Sequence, residues 1–83
     1  MFYVYVLKSC VSTRLYVGYT ANLKVRMKQH QNKKVWTTAR MGEVELIFYE
    51  AFKSKPDALR REKYLKTSKG KSSIKQILRL SLE

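Results

Sequence analysis

Five side chains in this sequence could act on a phosphate ester at the spacing they have: Tyr5, Tyr16, Arg26, His30 and Glu62. A guanidinium such as that of Arg26 stays charged and can hold a phosphate through two parallel hydrogen bonds. The imidazole of His30 can relay a proton near neutral pH. These two residues stand at i and i+4, so one side of a helix presents both. The carboxylate of Glu62 suits a hard divalent cation, Mg²⁺ or Mn²⁺, whose shell is completed by water and substrate phosphate.

Each residue also has a plainer reading. Strand alternation sends Tyr3, Tyr5 and Leu7 to one face and Phe2, Val4 and Val6 to the other, and lets Tyr16 and Gly18 share a face in the next strand. Tyr5 and Tyr16 can then lie side by side, either as a reactive pair or as ordinary packing with hydroxyls at the rim. Gly18 weakens a strand unless a ligand phosphate or a crossing helix must approach its backbone. Arg26 and His30 equally fit a solvated helix face beside Lys24 and Lys28. Glu62 falls among Ala58, Leu59 and Leu65 on the inward side of its helix. A carboxylate there costs free energy unless it pairs with Arg60, Arg61 or Arg26, or binds a cation.

Positioning these groups requires a small set of elements. Residues 2–7 form a continuous β-branched and aromatic run, and residues 14–20 a second strand, joined by a short polar hairpin loop. A helix follows, capped by Thr20 or Asn22 and ending near Asn32. A basic loop runs from Lys33 to Gly42 and contains Trp36 and paired threonines. Residues 44–51 are the third strand. Ser54, Pro56 and Asp57 mark the start of a helix that reaches about Thr67. Ser68-Lys69-Gly70-Lys71 reads as a break, and residues 73–81 as a last helix with Ile74, Ile77, Leu78 and Leu82 inward. The expectation is one domain over residues 1–83 of the α+β class: a three-stranded antiparallel sheet flanked by helices, in the order β-β-α-β-α-α.

Charge is the strongest compositional fact. The 83 residues carry 18 Lys and Arg against six acids, a net charge of +12, which points to a polyanionic partner. The basic residues are spread along the chain, so the positive surface belongs to the folded domain. Lys33, Lys34 and Arg40 flank Trp36, interleaving cations with a stacking group, although Trp36 could equally plug the core edge. Lys69, Lys71, Lys75 and Arg79 give the last helix a basic side that can track a phosphate backbone. A composition 45% apolar supports a core. No apolar run approaches the roughly 20 residues of a membrane span. Met1 leads into Phe2-Tyr3-Val4 without a basic leader, so no signal peptide and a cytoplasmic location are expected. Cys10 is the only cysteine and His30 the only histidine, which excludes an internal disulfide and a zinc site built from them.

Tyr3-Val4-Tyr5, Tyr16-Val17-Gly18, the Arg26 and His30 pair, and Ala58-Leu59-Arg60-Arg61-Glu62 together resemble the GIY-YIG nuclease domain, and its compact stand-alone bacterial members of the UPF0213 type. The likeness runs from Tyr3 to about Lys75. It implies metal-dependent hydrolysis of DNA phosphodiesters, in repair or recombination. Tyr5 matches the first motif tyrosine, Tyr16 and Gly18 the second motif, Arg26 the phosphate-steadying arginine, His30 a frequent histidine and Glu62 the metal ligand. Tyr5, assisted by His30 or Tyr16, would take a proton from water, with its pKa lowered by the cation and Arg26. Target specificity would come from DNA shape, backbone or a protein partner. The chain departs from the pattern at Tyr3, where the motif has glycine, and its only asparagines are Asn22 and Asn32. The alternative is a non-catalytic nucleic-acid-binding module of the same fold, or a basic protein bound to ribosomal RNA.

Overall fold

Strand β1 (Phe2–Ser9) lies between β2 (Leu15–Thr20) and β3 (Val44–Phe52) in an antiparallel sheet of order β2-β1-β3. These features come from a computed structural model that describes residues 1–82, apart from the side chains of Trp36 and Thr37. In the hairpin Tyr5 stands opposite Gly18 and Leu7 opposite Tyr16. The turn is closed where the Ser9 amide donates to the Arg14 carbonyl, 3.0 Å. Against β3 the register shifts between Val6, opposite Phe48, and Leu7, opposite Leu46, leaving Ile47 as the extra residue of a bulge.

The central strand is buried on both faces, which explains its unbroken apolar run. Val4, Val6 and Val17 point to a core closed by Ala58 and Leu65 of α3 (Lys55–Leu65) and by Ile74 of α4 (Ser68–Ile77), with Leu78 beyond it. Tyr5 and Leu7 point to the other face and are also fully buried. That face is covered by α1 (Leu23–Gln31), which starts where Asn22 Oδ1 accepts from the Val25 amide at 3.1 Å. The fold is thus the expected α+β arrangement, with one addition: a short helix α2 (Trp36–Ala39) inside the basic loop.

Three local expectations are corrected. Gly70 does not break the chain: α4 already begins at Ser68, because Thr67 Oγ1 accepts from the Gly70 amide at 3.1 Å and caps the helix. Glycine is needed there because a Cβ would strike the backbone of Tyr64 and Leu65 at the end of α3. The helix also ends at Ile77 rather than near residue 81, and Ile77 is 55% exposed while Ile74 and Leu78 are buried. Ile77 lies about 100° around the helix from Leu78 and leaves the stripe. In α3, Ser54 stands at the N-cap without a side-chain capping bond, and Leu59 is 40% exposed, outside the apolar stripe of Ala58 and Leu65.

Candidate active site

Four of the five predicted site residues converge on the α1 face of the sheet. The centre is the Tyr5 hydroxyl, which lies 2.8 Å from His30 Nε2 and accepts from Arg26 Nε–H at 3.3 Å. The helix spacing therefore aims both α1 side chains at one oxygen rather than at solvent, and His30 is only 3% exposed. Tyr16 packs beside them, its ring centroid 6.2 Å from that of Tyr5 and 5.4 Å from that of His30. Tyr16 and Arg26 are half-buried, so they form the outer edge of a cluster whose inner members are Tyr5 and His30.

Gly18 is explained by neither a phosphate nor a crossing helix. The Tyr5 ring lies directly across it: a Cβ there would overlap Tyr5 Cζ and Oη and come within 2.9 Å of Tyr16 Cε1. Close approach of a side chain is what the glycine permits.

Sequence reasoning missed Thr38, buried on α2. Its Oγ1 sits 2.6 Å from His30 Nδ1 and donates to the Val35 carbonyl at 3.3 Å. A hydroxyl has one proton to give. With that proton on Val35, Thr38 accepts from Nδ1–H, so Nε2 carries the lone pair and Tyr5 donates to it. The result is a directed chain: Arg26 to Tyr5, Tyr5 to His30, His30 to Thr38, Thr38 to backbone. The paired threonines in the loop were the available signal, but no periodicity or cap marks a four-residue helix.

Burial decides the protonation states. It pushes Tyr5 up to about 12, outweighing the Arg26 hydrogen bond and charge that pull the other way, while the neighbouring Tyr16 adds to the rise. Arg26 by itself does not achieve the lowering expected from it together with the cation, because the phenolate would be stripped of water. His30 is lowered to about 4, first by burial and then by the Arg26 charge. Both groups rest neutral at pH 7.

The linkage has a definite sign. As pH falls from about 6.5 to 4, the unfolded chain takes a proton on His30 that the folded one refuses, so stability declines by about 3 kcal/mol. As pH rises from about 10 to 12, the unfolded chain releases a Tyr5 proton that the folded one keeps, and stability declines again. Urea melts at pH 7 and 4.5 are expected to show a smaller acid loss for His30→Gln than for the parent. Parallel losses would contradict this assignment.

Glu62 comes from the opposite layer. It projects from α3, its side chain 21% exposed, and pairs with Lys66 at 3.3 Å. The expected arginine partners are engaged elsewhere: Arg60 pairs with Asp57 and Arg61 with Glu50. Lys66 lines a cleft of about 460 Å³ at the β2 edge together with Tyr16, Lys71 and Lys75. Of the tyrosine cluster only Tyr16 lines that cleft, and Glu62 adjoins it through Lys66. Lys69 is exposed on α4, and Lys33, Lys34 and Arg40 are exposed around α2, with Lys33 in the left-handed region at φ 57°. The Trp36 side chain lies outside the described residues.

A three-stranded antiparallel sheet with a tyrosine pair, an arginine and a histidine gathered on one face defines a small α+β domain with one polar cluster. The chain belongs to the GIY-YIG family: the model of the GIY-YIG catalytic domain matches residues 1–75. It is similar to bacterial UPF0213 proteins. The chain is 37% identical over 79 residues to one from Pediococcus acidilactici, covering 92% of this chain and 80% of that one. It is 44% identical over 68 residues to one from Clostridium perfringens, covering 80% and 71%. It is 38% identical over 76 residues to one from Staphylococcus haemolyticus, covering 90% and 92%. No solved structure matches the chain. No helix among the described residues is long and apolar enough to cross a membrane.

The family implies a divalent cation. Among the described residues no group of three His, Cys, Asp or Glu side chains could cage one. A single hard carboxylate, open to water, nevertheless suits Mg²⁺, which keeps several waters and takes one or two carboxylates beside substrate phosphate. Glu62, partly exposed, would meet that description on releasing Lys66, which pairs with it at 3.3 Å.

Proposed function

We propose that the protein is a metal-dependent DNA endonuclease of the bacterial cytoplasm that hydrolyses phosphodiester bonds at particular DNA structures in repair or recombination. The observation that carries the reading is the Tyr5 hydroxyl held between Arg26 and His30 beside Tyr16, in a chain of net charge +12.

In this reading the nucleic acid lies along the β2-edge cleft, with Lys66, Lys71 and Lys75 on its phosphates. Arg26, at the outer edge, binds the scissile phosphate and offsets charge that builds on it in the transition state. Glu62 would hold Mg²⁺ or Mn²⁺, which supplies charge to polarise the phosphate and stabilise the leaving oxygen. Arg26, drawn from the Tyr5 hydroxyl to the phosphate, uncovers that buried oxygen to the attacking water. Tyr5 then hands its proton to His30 Nε2 as its oxygen takes one from the water, and Thr38 holds the imidazole in the accepting tautomer. Substrate phosphate against Arg26 favours this step, because it offsets the positive charge that disfavours imidazolium. Tyr16, at the exposed edge, orients the water. Shape and backbone contacts, or a protein partner, supply target choice.

The test is cleavage of supercoiled plasmid and of branched DNA by the parent and Glu62→Ala, with Mg²⁺, Mn²⁺ or chelator. Metal-dependent cutting by the parent, fastest on branched DNA and lost in a folded Glu62→Ala protein, is expected. Equal cutting by both would mark a contaminant. Binding by both without cutting in any condition would replace the nuclease reading with the non-catalytic module.

A further inference from the structure

Across α1 from the tyrosine cluster, the helix and β3 leave an open groove of about 700 Å³. Tyr3, Tyr49 and Leu46 line it from the sheet, and Lys24, Met27 and Lys28 from the helix. The chemistry of the cluster uses none of these residues. Tyr49 is 52% exposed and Leu46 38%. The rings of Tyr3 and Tyr49 meet edge to face, centroids 6.2 Å apart, so Tyr3 orients its neighbour. A smaller hollow shares Met27 and Leu46 and extends to His30, making the groove continuous with the candidate site.

We propose that this groove holds unpaired bases of a single strand, with Tyr49 as the stacking platform and Lys24 and Lys28 on the phosphates. Charge complementarity argues for the occupant: an aromatic and aliphatic floor stands beside two cations, in a protein already of net charge +12. Lys24 and Lys28 are about 6 Å apart along the helix, comparable to successive phosphates of an extended strand. Base faces stack on exposed aromatics without regard to sequence, whereas a duplex keeps its faces covered. The inference rests on the nucleic-acid reading above. It adds that the preferred substrate exposes unpaired nucleotides beside the cut.

The test is binding in chelator, independent of cleavage, by anisotropy of a labelled oligothymidylate, an abasic strand of equal length and a blunt duplex. Tyr49→Ala, at an exposed position, is expected to melt like the parent. It should lose about tenfold on oligothymidylate and nothing on the abasic strand or duplex. Tyr49→Phe should bind as the parent does. Unchanged oligothymidylate binding by Tyr49→Ala, or an equal loss on the abasic strand, would overturn the groove assignment alone. A parent that binds no nucleic acid would overturn it together with the function. If Tyr49→Ala instead dissociates a dimer in sedimentation while DNA binding is unchanged, the occupant is a second copy and the proposal is wrong.

Discussion

Tyr5→Phe is expected to lower the rate of cleavage by about 10²–10⁴-fold, the range for loss of a positioned proton-transfer group. Phenylalanine keeps the ring that lies across Gly18 but removes the one atom that Arg26 and His30 share. His30 Nε2 is then left buried without a donor, so the variant is also expected to lose about 1–3 kcal/mol of stability. The two effects separate in one experiment: single-turnover cleavage at saturating protein reads chemistry, and urea melts read the fold. In the proposed mechanism Tyr5 and His30 act as one relay, so Tyr5→Phe and His30→Gln combined should cost little more activity than either alone. Additive losses would mean that the two residues serve different steps. A Tyr5→Phe protein cutting at the parental rate would remove Tyr5 from the chemistry.

Gly18→Ala should be the most damaging small substitution in the sheet. The added methyl overlaps the outer end of the Tyr5 ring, and that ring cannot swing away freely. Its hydroxyl is pinned by His30 and Arg26, and the residue is fully buried. Overpacking of this kind costs about 1–3 kcal/mol, and here the displaced ring also breaks the Tyr5–His30 bond. The expected outcome is a lower melting midpoint together with loss of cleavage beyond what the fold change explains. If the Gly18→Ala protein melts and cuts like the parent, the ring has room that the geometry denies it. Gly70→Ala gives a useful contrast. Its methyl would strike the α3 backbone, far from the relay, and so would cost stability without altering the protonation of His30.

Much of this was legible from local pattern. Period-two alternation placed Tyr5 and Tyr16 on one face, the i, i+4 spacing placed Arg26 and His30 on one side of a helix, and the three strands fell where β-branched runs predict them. Such features depend on neighbours within a few residues, which sequence displays directly. Helix starts were less secure. Asn22 caps α1 as one of two residues expected to, whereas Thr67 caps α4 and draws Gly70 into a helix that composition alone breaks.

What the chain alone determined is the set of reactive types, the basic surface, the sheet and the family. Only the tertiary structure decided how the groups act on one another. Contacts between Tyr5 and His30, 25 residues apart, or between Gly18 and the ring it admits, arise from packing across layers and leave no periodic mark. Thr38 enters the relay through a helix too short to signal itself. Glu62 meets Lys66 rather than an arginine, because Asp57 and Glu50 take Arg60 and Arg61. Burial, a property of the whole fold, raises the Tyr5 pKa where the Arg26 charge alone would lower it. Desolvation of a phenolate costs more than one guanidinium at 3.3 Å returns.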